Sequence, residues 1–127
     1  AVIAKMVRLG YVDDARTAAI KARGLFARGT PPAMIRRRLA LLGAAEEAIA
    51  AAIDGIEEDC GDAELTAAAA LARRRRLGPF GLPEKRRERR DKDLATLARA
   101  GFSLETARRV IDAATPENLL EDITSAD

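Results

Sequence analysis

Residues 34–54, MIRRRLALLGAAEEAIAAAID, recur 58 positions downstream as KDLATLARAGFSLETARRVID, residues 92–112. This internal repeat constrains the chain more than any other feature, because short repeated units cannot bury their apolar faces alone and must stack. Leu39 aligns with Leu97, Ala40 with Ala98, Gly43 with Gly101, Glu47 with Glu105, Ile53 with Ile111 and Asp54 with Asp112. In both copies a helix with apolar residues at i, i+3 and i+4 runs into a glycine, and a second apolar-periodic helix follows. Glycine suits such a stop because positive φ strains a residue that carries a Cβ. The apolar residue behind it (Ala44, Phe102) can fold back on the last turn. Strand formers are sparse, whereas alanine, leucine, arginine and glutamate abound. The expected fold is therefore all-α, with tandem three-helix repeats forming an elongated, curved helical array.

Taken in order, residues 1–10 carry one broad apolar stripe (Val2, Ile3, Met6, Val7, Leu9) closed by Gly10. A helix this short is not self-sufficient, and it reads as the end of a first repeat that is mostly absent. The opening Ala1, in place of a methionine, fits a natural start further upstream. A second repeat is expected over residues 11–56. Asp13 offers an N-cap, and a helix from Asp14 to about Arg28 would bury Ala15, Ala18, Ala19, Ala22, Leu25 and Phe26. Gly29 ends it, and Thr30-Pro31 supplies the cap and first position of a helix burying Ile35, Leu39 and Leu42. After Gly43 a third helix places Ile49 and Ile53 inward.

A third repeat is expected over residues 57–114. Its first helix buries Leu65, Ala68, Ala69 and Ala72, and the segment LGPFGLP at Leu77–Pro83 then breaks the pattern. Glu84–Asp93 holds no apolar residue, so it is expected as a solvated helical extension or a mobile arm. Periodicity resumes at Leu94, Leu97 and Ala98. Ser103 caps a last helix with Ala107, Val110 and Ile111 inward. Residues 115–127 read as an acidic tail, opened by Thr115-Pro116, short and frayed.

Net charge is only +2, but it is unevenly spread. Arg73–Lys92 holds ten Lys/Arg against three acids, while residues 112–127 hold five acids and no base. A basic middle beside an acidic end points to a polyanion or an acidic surface as partner, with the tail as an internal competitor. Forked guanidiniums suit phosphates, and dense clusters gain affinity by releasing counterions. The candidate contacts are Arg73, Arg74, Arg75 and Arg76, then Lys85, Arg86, Arg89 and Arg90, and then the triplet Arg36, Arg37 and Arg38. Glu84, Glu88 and Asp91 can pair with the bases of the Lys85–Arg90 run at helical spacing, so a solvated helix face is the competing reading there. Phe80, between the two basic runs, is the aromatic placed to stack on a base. Tyr11, Phe26 and Phe102 suit core or helix-stop contacts better.

The inventory for chemistry is thin. The chain has no His and one cysteine, Cys60, which excludes a disulfide framework and the common zinc constellations. Asp13-Asp14 reads as a helix cap, since no further oxygen ligands follow at loop spacing. No nucleophile–base pair and no glycine-rich phosphate loop is present. A non-enzymatic protein without cofactor or metal is expected, in a reducing cytoplasm, off the membrane and monomeric.

The segment Leu9–Arg16 (LGYVDDAR), Gly29 with a proline ahead of Ile35-Arg36-Arg37-Arg38-Leu39, and Gly101-Phe102-Ser103 together resemble the bacterial RecX regulatory proteins. The resemblance covers nearly the whole chain, with residues 1–10 at the end of a first repeat. That family is built from tandem three-helix repeats, usually three. Two departures weaken the middle repeat's packing: family members commonly carry an aromatic where Thr17 stands, and a larger aliphatic where Ala44 follows Gly43.

The resemblance implies a partner, the RecA recombinase, whose filament on single-stranded DNA these proteins occupy. It implies inhibition of ATP hydrolysis, strand exchange and co-protease activity. The basic residues would reach acidic protein surface or the phosphates of single-stranded DNA, with duplex DNA as a further ligand. Two rivals stand beside it. A helical nucleic-acid module without RecA specificity predicts affinity for naked duplex, although no helix offers a base-reading face of Asn, Gln and Arg. A purely structural scaffold predicts no DNA binding near physiological salt.

Overall fold

The computed structural model describes residues 14–125, and every regular element among them is helical. In order these are α1 (Ala15–Ala27), α2 (Pro32–Leu41), α3 (Glu46–Asp59), α4 (Ala63–Arg75), two 3-10 turns (Gly78–Phe80 and Pro83–Lys85), α5 (Arg86–Ala100), α6 (Leu104–Ile111) and α7 (Pro116–Ser125). The expectations for residues 1–10, Tyr11 and Asp13 fall outside the described residues.

Four helices stop by one device. Gly29, Gly43 and Gly101 adopt φ of 97°, 92° and 107°, and Arg76 takes the same left-handed role at 57°. The next N–H reaches back to a carbonyl five residues earlier: Thr30 to Leu25 (3.0 Å), Ala44 to Leu39 (3.0 Å), Leu77 to Ala72 (2.8 Å) and Phe102 to Leu97 (3.2 Å). These are Schellman stops, which satisfy the orphan carbonyls of a helix end without side chains. They also register the two copies. Leu25 and Ala72 are 47 positions apart and Leu39 and Leu97 are 58, so the second copy carries eleven more residues between its first and second helices. The extra length is spent on the 3-10 turns and a longer second helix.

Two hydrophobic clusters follow the same division. Ala18, Ala22, Leu25, Ile35, Leu39, Ile49, Ile53 and Ile56 from α1–α3 make up most of the first, which Ala63 at the start of α4 joins. Leu65, Leu71, Leu97, Phe102, Val110, Ile111 and Leu119 from α4–α7 lie in the second, with Leu77 from the following loop. Phe26 packs against both. The clusters approach closely because Gly29 has no side chain: a Cβ there would lie 2.6–2.7 Å from the backbone and Cβ of Leu71. At the other end of the seam Gly101 faces Met34 and Pro31, where a Cβ would lie 2.8 Å from the Met34 side chain.

Several expectations change. The cap of α1 is Asp14, whose carboxylate accepts from the Thr17 N–H at 2.6 Å, so Ala15 opens the helix and is exposed rather than buried. Pro31, not Thr30, is the N-cap of α2, and Pro32 takes the first helical position, where a missing N–H costs nothing. Ala98 is exposed. Helix α3 runs on to Asp59, past residue 56.

The apolar-free segment 84–93 is a largely exposed helical extension, one of the two forms expected of it, and it also docks through polar groups. Asp93 is 3% exposed and accepts from the Gly78 N–H at 2.9 Å. The Arg86 guanidinium donates to the carbonyls of Ile111 (2.8 Å), Ala113 (2.6 Å) and Ala114 (3.0 Å) at the end of α6. The tail is likewise a folded helix. Thr115 Oγ1 accepts from the Asn118 N–H at 3.0 Å as a cap, and Leu119 is buried in the second cluster with Ile123 against it.

Candidate functional site

The basic candidates sort by what already holds them. Arg36 pairs with Glu46 (3.3 Å), Lys85 with Glu88 (3.7 Å) and Arg89 with the buried Asp93 (3.8 Å). Arg90 grips Asp112 through two bonds of 2.7 and 2.8 Å. Arg86 is spent on the three carbonyls of α6. These two residues, expected as contacts, are thus held by the protein itself. Arg37, Arg38 and Arg73–Arg76 are exposed and make no ion pair with a described carboxylate.

The bidentate Arg90–Asp112 pair carries a pH signature. Hydrogen bonding from Arg90 holds the Asp112 carboxyl below its ordinary 3.8, with burial opposing and the charges of Arg90, Arg86 and Arg108 assisting. Native Asp112 therefore binds fewer protons than the unfolded chain below that ordinary value, and stability falls as pH drops through it. The contribution is fully present above about pH 5 and fades toward the lower, folded value. Asp112→Asn is expected to flatten that part of an acid-unfolding curve while leaving neutral-pH cooperativity intact, which thermal melts between pH 3 and 7 would read.

The four arginines Arg73–Arg76 do not act as one patch. They sit at the end of α4, and each successive side chain turns about 100° around the helix. Arg74 and Arg75 enter a notch of about 460 Å³ where the two clusters meet, joined there by Arg28 from α1, Arg38 from α2 and Arg99 from α5. Among the described residues no Asp or Glu lines this notch. Its floor includes Leu25, Gly29, Pro31, Met34 and Leu71, the residues of the close seam. Arg75 also borders a second recess, together with Arg76, Lys85, Arg89 and Lys92, in which Glu88 and Asp93 dilute the charge. Arg73 instead borders an apolar groove beside Leu119, Leu120 and Ile123.

Phe80, expected to stack on a base, packs partly buried against the second cluster. It also borders that apolar groove and, on the other side, the basic recess that Arg75, Arg76 and Lys85 line.

Arg28 and Arg99 were not singled out from the sequence. Arg28 immediately precedes Gly29, and Arg99 stands two residues before Gly101. A base in the last turn before a glycine stop was the available signal, since the stops form the seam.

Three curated proteins are similar to this chain, each called regulatory protein RecX. The one from Myxococcus xanthus (strain DK1622) is 41% identical over 113 residues, 88% of this chain. That from Stenotrophomonas maltophilia (strain R551-3) is 38% identical over 109 residues, 86% of the chain. That from Agrobacterium fabrum (strain C58 / ATCC 33970) is 32% identical over 114 residues, 90% of the chain. The chain belongs to the RecX family.

It spans about three-fifths of the length of these RecX proteins, 59%, 63% and 58% respectively. No protein-family model matches the chain, and no solved structure does. The all-α expectation drawn from the repeat holds for the described residues of this RecX-family chain. Among those residues no helix is long and apolar enough to cross a membrane.

Proposed function

We propose that this chain is the larger part of a cytoplasmic, monomeric, non-enzymatic regulator that binds the RecA recombinase on single-stranded DNA. In this reading it restrains the filament's ATP hydrolysis, strand exchange and co-protease activity in recombinational repair and the SOS response. Membership of the RecX family carries the reading. The geometry supports it through the recess lined by five arginines where the two clusters meet. We also propose that the clusters are successive three-helix repeats, with the join at Cys60–Asp62 and α7 as an appendage of the second. Such a body could engage neighbouring protomers at several weak points at once, which is how modest contacts add to useful avidity.

Co-sedimentation with RecA filaments on single-stranded DNA, near physiological salt, tests the reading against the same DNA without RecA. Retention by the filament well above retention by bare DNA is expected. The double reversal Arg74→Glu/Arg75→Glu should lower filament retention roughly tenfold or more with helicity unchanged, because reversed rim charges alter encounter and complementarity together. Equal retention by bare DNA would favour the simpler nucleic-acid module, and retention by neither would overturn the RecA assignment.

A further inference from the structure

The notch at the seam combines features that solvated arginines do not usually share. Arg28, Arg38, Arg74, Arg75 and Arg99 come from four helical segments and converge without a carboxylate among the described lining residues. Like charges brought together in a concavity repel, so the arrangement leaves a field that an anion would neutralise. The helix ends beside them do not need these side chains as caps. The carbonyls of Leu25, Ala72 and Leu97 are already closed by backbone bonds from Thr30, Leu77 and Phe102. Arg28 adds a bond of its own from Nε to the Gly24 carbonyl at 3.5 Å, and Arg38, Arg74, Arg75 and Arg99 stand in last turns where the helix dipole favours a cation. That preference holds on any side of a helix and does not by itself gather five arginines into one notch.

We propose that this notch seats the sugar–phosphate backbone of single-stranded nucleic acid, and that the flanking Lys85–Arg90 arm does not. The inference rests on the reading of the chain as a regulator acting at a DNA filament, which supplies the strand. Guanidinium forks match phosphate oxygens in pairs, and all five cations here are arginine. A cavity of about 460 Å³ is the size of a small-ligand pocket and admits a bent strand, whereas a duplex is far too broad to enter. An acidic protein surface is the other outcome of the test. Among the described residues no aromatic lines the notch, so the contact is to backbone phosphates and not to stacked bases. The arm differs in kind, because its charge is already partly spent on Glu88, Asp93 and Asp112.

The test uses the whole chain and a fluorescent oligo-dT strand, without RecA, titrated across salt from about 50 to 200 mM, the range in which counterion release governs affinity. Arg74→Gln/Arg99→Gln is compared with Lys85→Gln/Arg87→Gln, which removes the same formal charge from the arm. The notch variant should bind about tenfold more weakly, and the magnitude of its log–log salt slope should fall by about 1.4, two contacts at roughly 0.7 each. The arm variant should lose less than about threefold in affinity. Arg38→Gln/Arg75→Gln should reproduce the notch result, which guards against a folding defect in the first pair.

Equal losses from notch and arm would overturn the proposal in favour of diffuse charge. So would a wild-type chain that ignores bare strand at the lowest salt yet sediments with RecA filaments, which would point to an acidic protein face. Strand binding without filament retention would leave the notch standing and remove the RecA reading.

Discussion

Gly29→Ala lowers stability by about 2–5 kcal/mol, while Gly24→Ala, five residues earlier, raises it by about 0.5–1 kcal/mol. Both add one methyl, and the opposite signs come from where it lands. Gly24 lies inside α1 with nothing within 4 Å of its would-be Cβ. Alanine there gains helix propensity and restricts the unfolded chain without touching a neighbour. Gly29 holds φ of 97°, and its would-be Cβ meets the Leu71 backbone at 2.7 Å. The left-handed conformation costs about 1–2 kcal/mol for a residue with a Cβ, and forced overpacking adds about 1–3 kcal/mol. Backbone cannot yield as a side-chain tip can, so the two clusters must part along the seam. Urea unfolding of both variants reads the signs. A Gly29→Ala protein as stable as the parent would mean that α1 and α4 do not approach as described. Because the same seam forms the floor of the arginine notch, that variant should also weaken strand binding.

The parts legible in the sequence are those set by local chemistry. Helix stops at Gly29, Gly43 and Gly101, the caps at Ser103 and Thr115, and the inward faces around Leu39 and Leu97 need only periodicity and a residue that tolerates positive φ. Misplacements by one residue have local causes. Asp13 and Asp14 are both competent caps, and of two adjacent prolines the second takes the first helical position, which leaves Pro31 as a cap without a side-chain bond. The deeper misses share a different cause. Segment 84–93 looks like an arm because it has no apolar residue, yet its polar groups find backbone partners in other elements. Asp93 holds the Gly78 N–H, and Arg86 holds the end of α6. A sequence pattern counts what can leave water for a core and is blind to tertiary hydrogen bonds. The tail is misread likewise, since Leu119 and Ile123 have little to pack on until Phe80 and α4 are in place. Runs of arginine mislead in the reverse direction. Arg73–Arg76 are contiguous in sequence but are divided among three surfaces, whereas Arg28 and Arg99 are far apart and meet.

Arg86→Met is expected to destabilise the protein by about 2–3 kcal/mol, and Arg87→Met by no more than about 0.5 kcal/mol. The two arginines are neighbours in one basic run and look interchangeable. Arg87 is exposed and makes no ion pair with a described carboxylate. Arg86 donates to Ile111, Ala113 and Ala114, carbonyls at the end of α6 with few other donors within reach. A cation at a helix C-terminus is favoured by the aligned peptide dipoles, and hydrogen bonds from a charged group are worth more than neutral ones. Methionine keeps most of the stem's apolar contact and removes only the fork, so the loss measures the carbonyl clamp rather than packing. Urea unfolding at neutral pH separates the two variants, with unchanged denaturant slopes expected for both. Once the Arg86→Met protein is held at a temperature where it remains folded, its filament retention should match the parent. Unchanged stability with lost retention would return Arg86 to the binding surface and show that the clamp is incidental. The expected pattern, stability lost and binding kept, assigns Arg86 to the architecture and not to the contact.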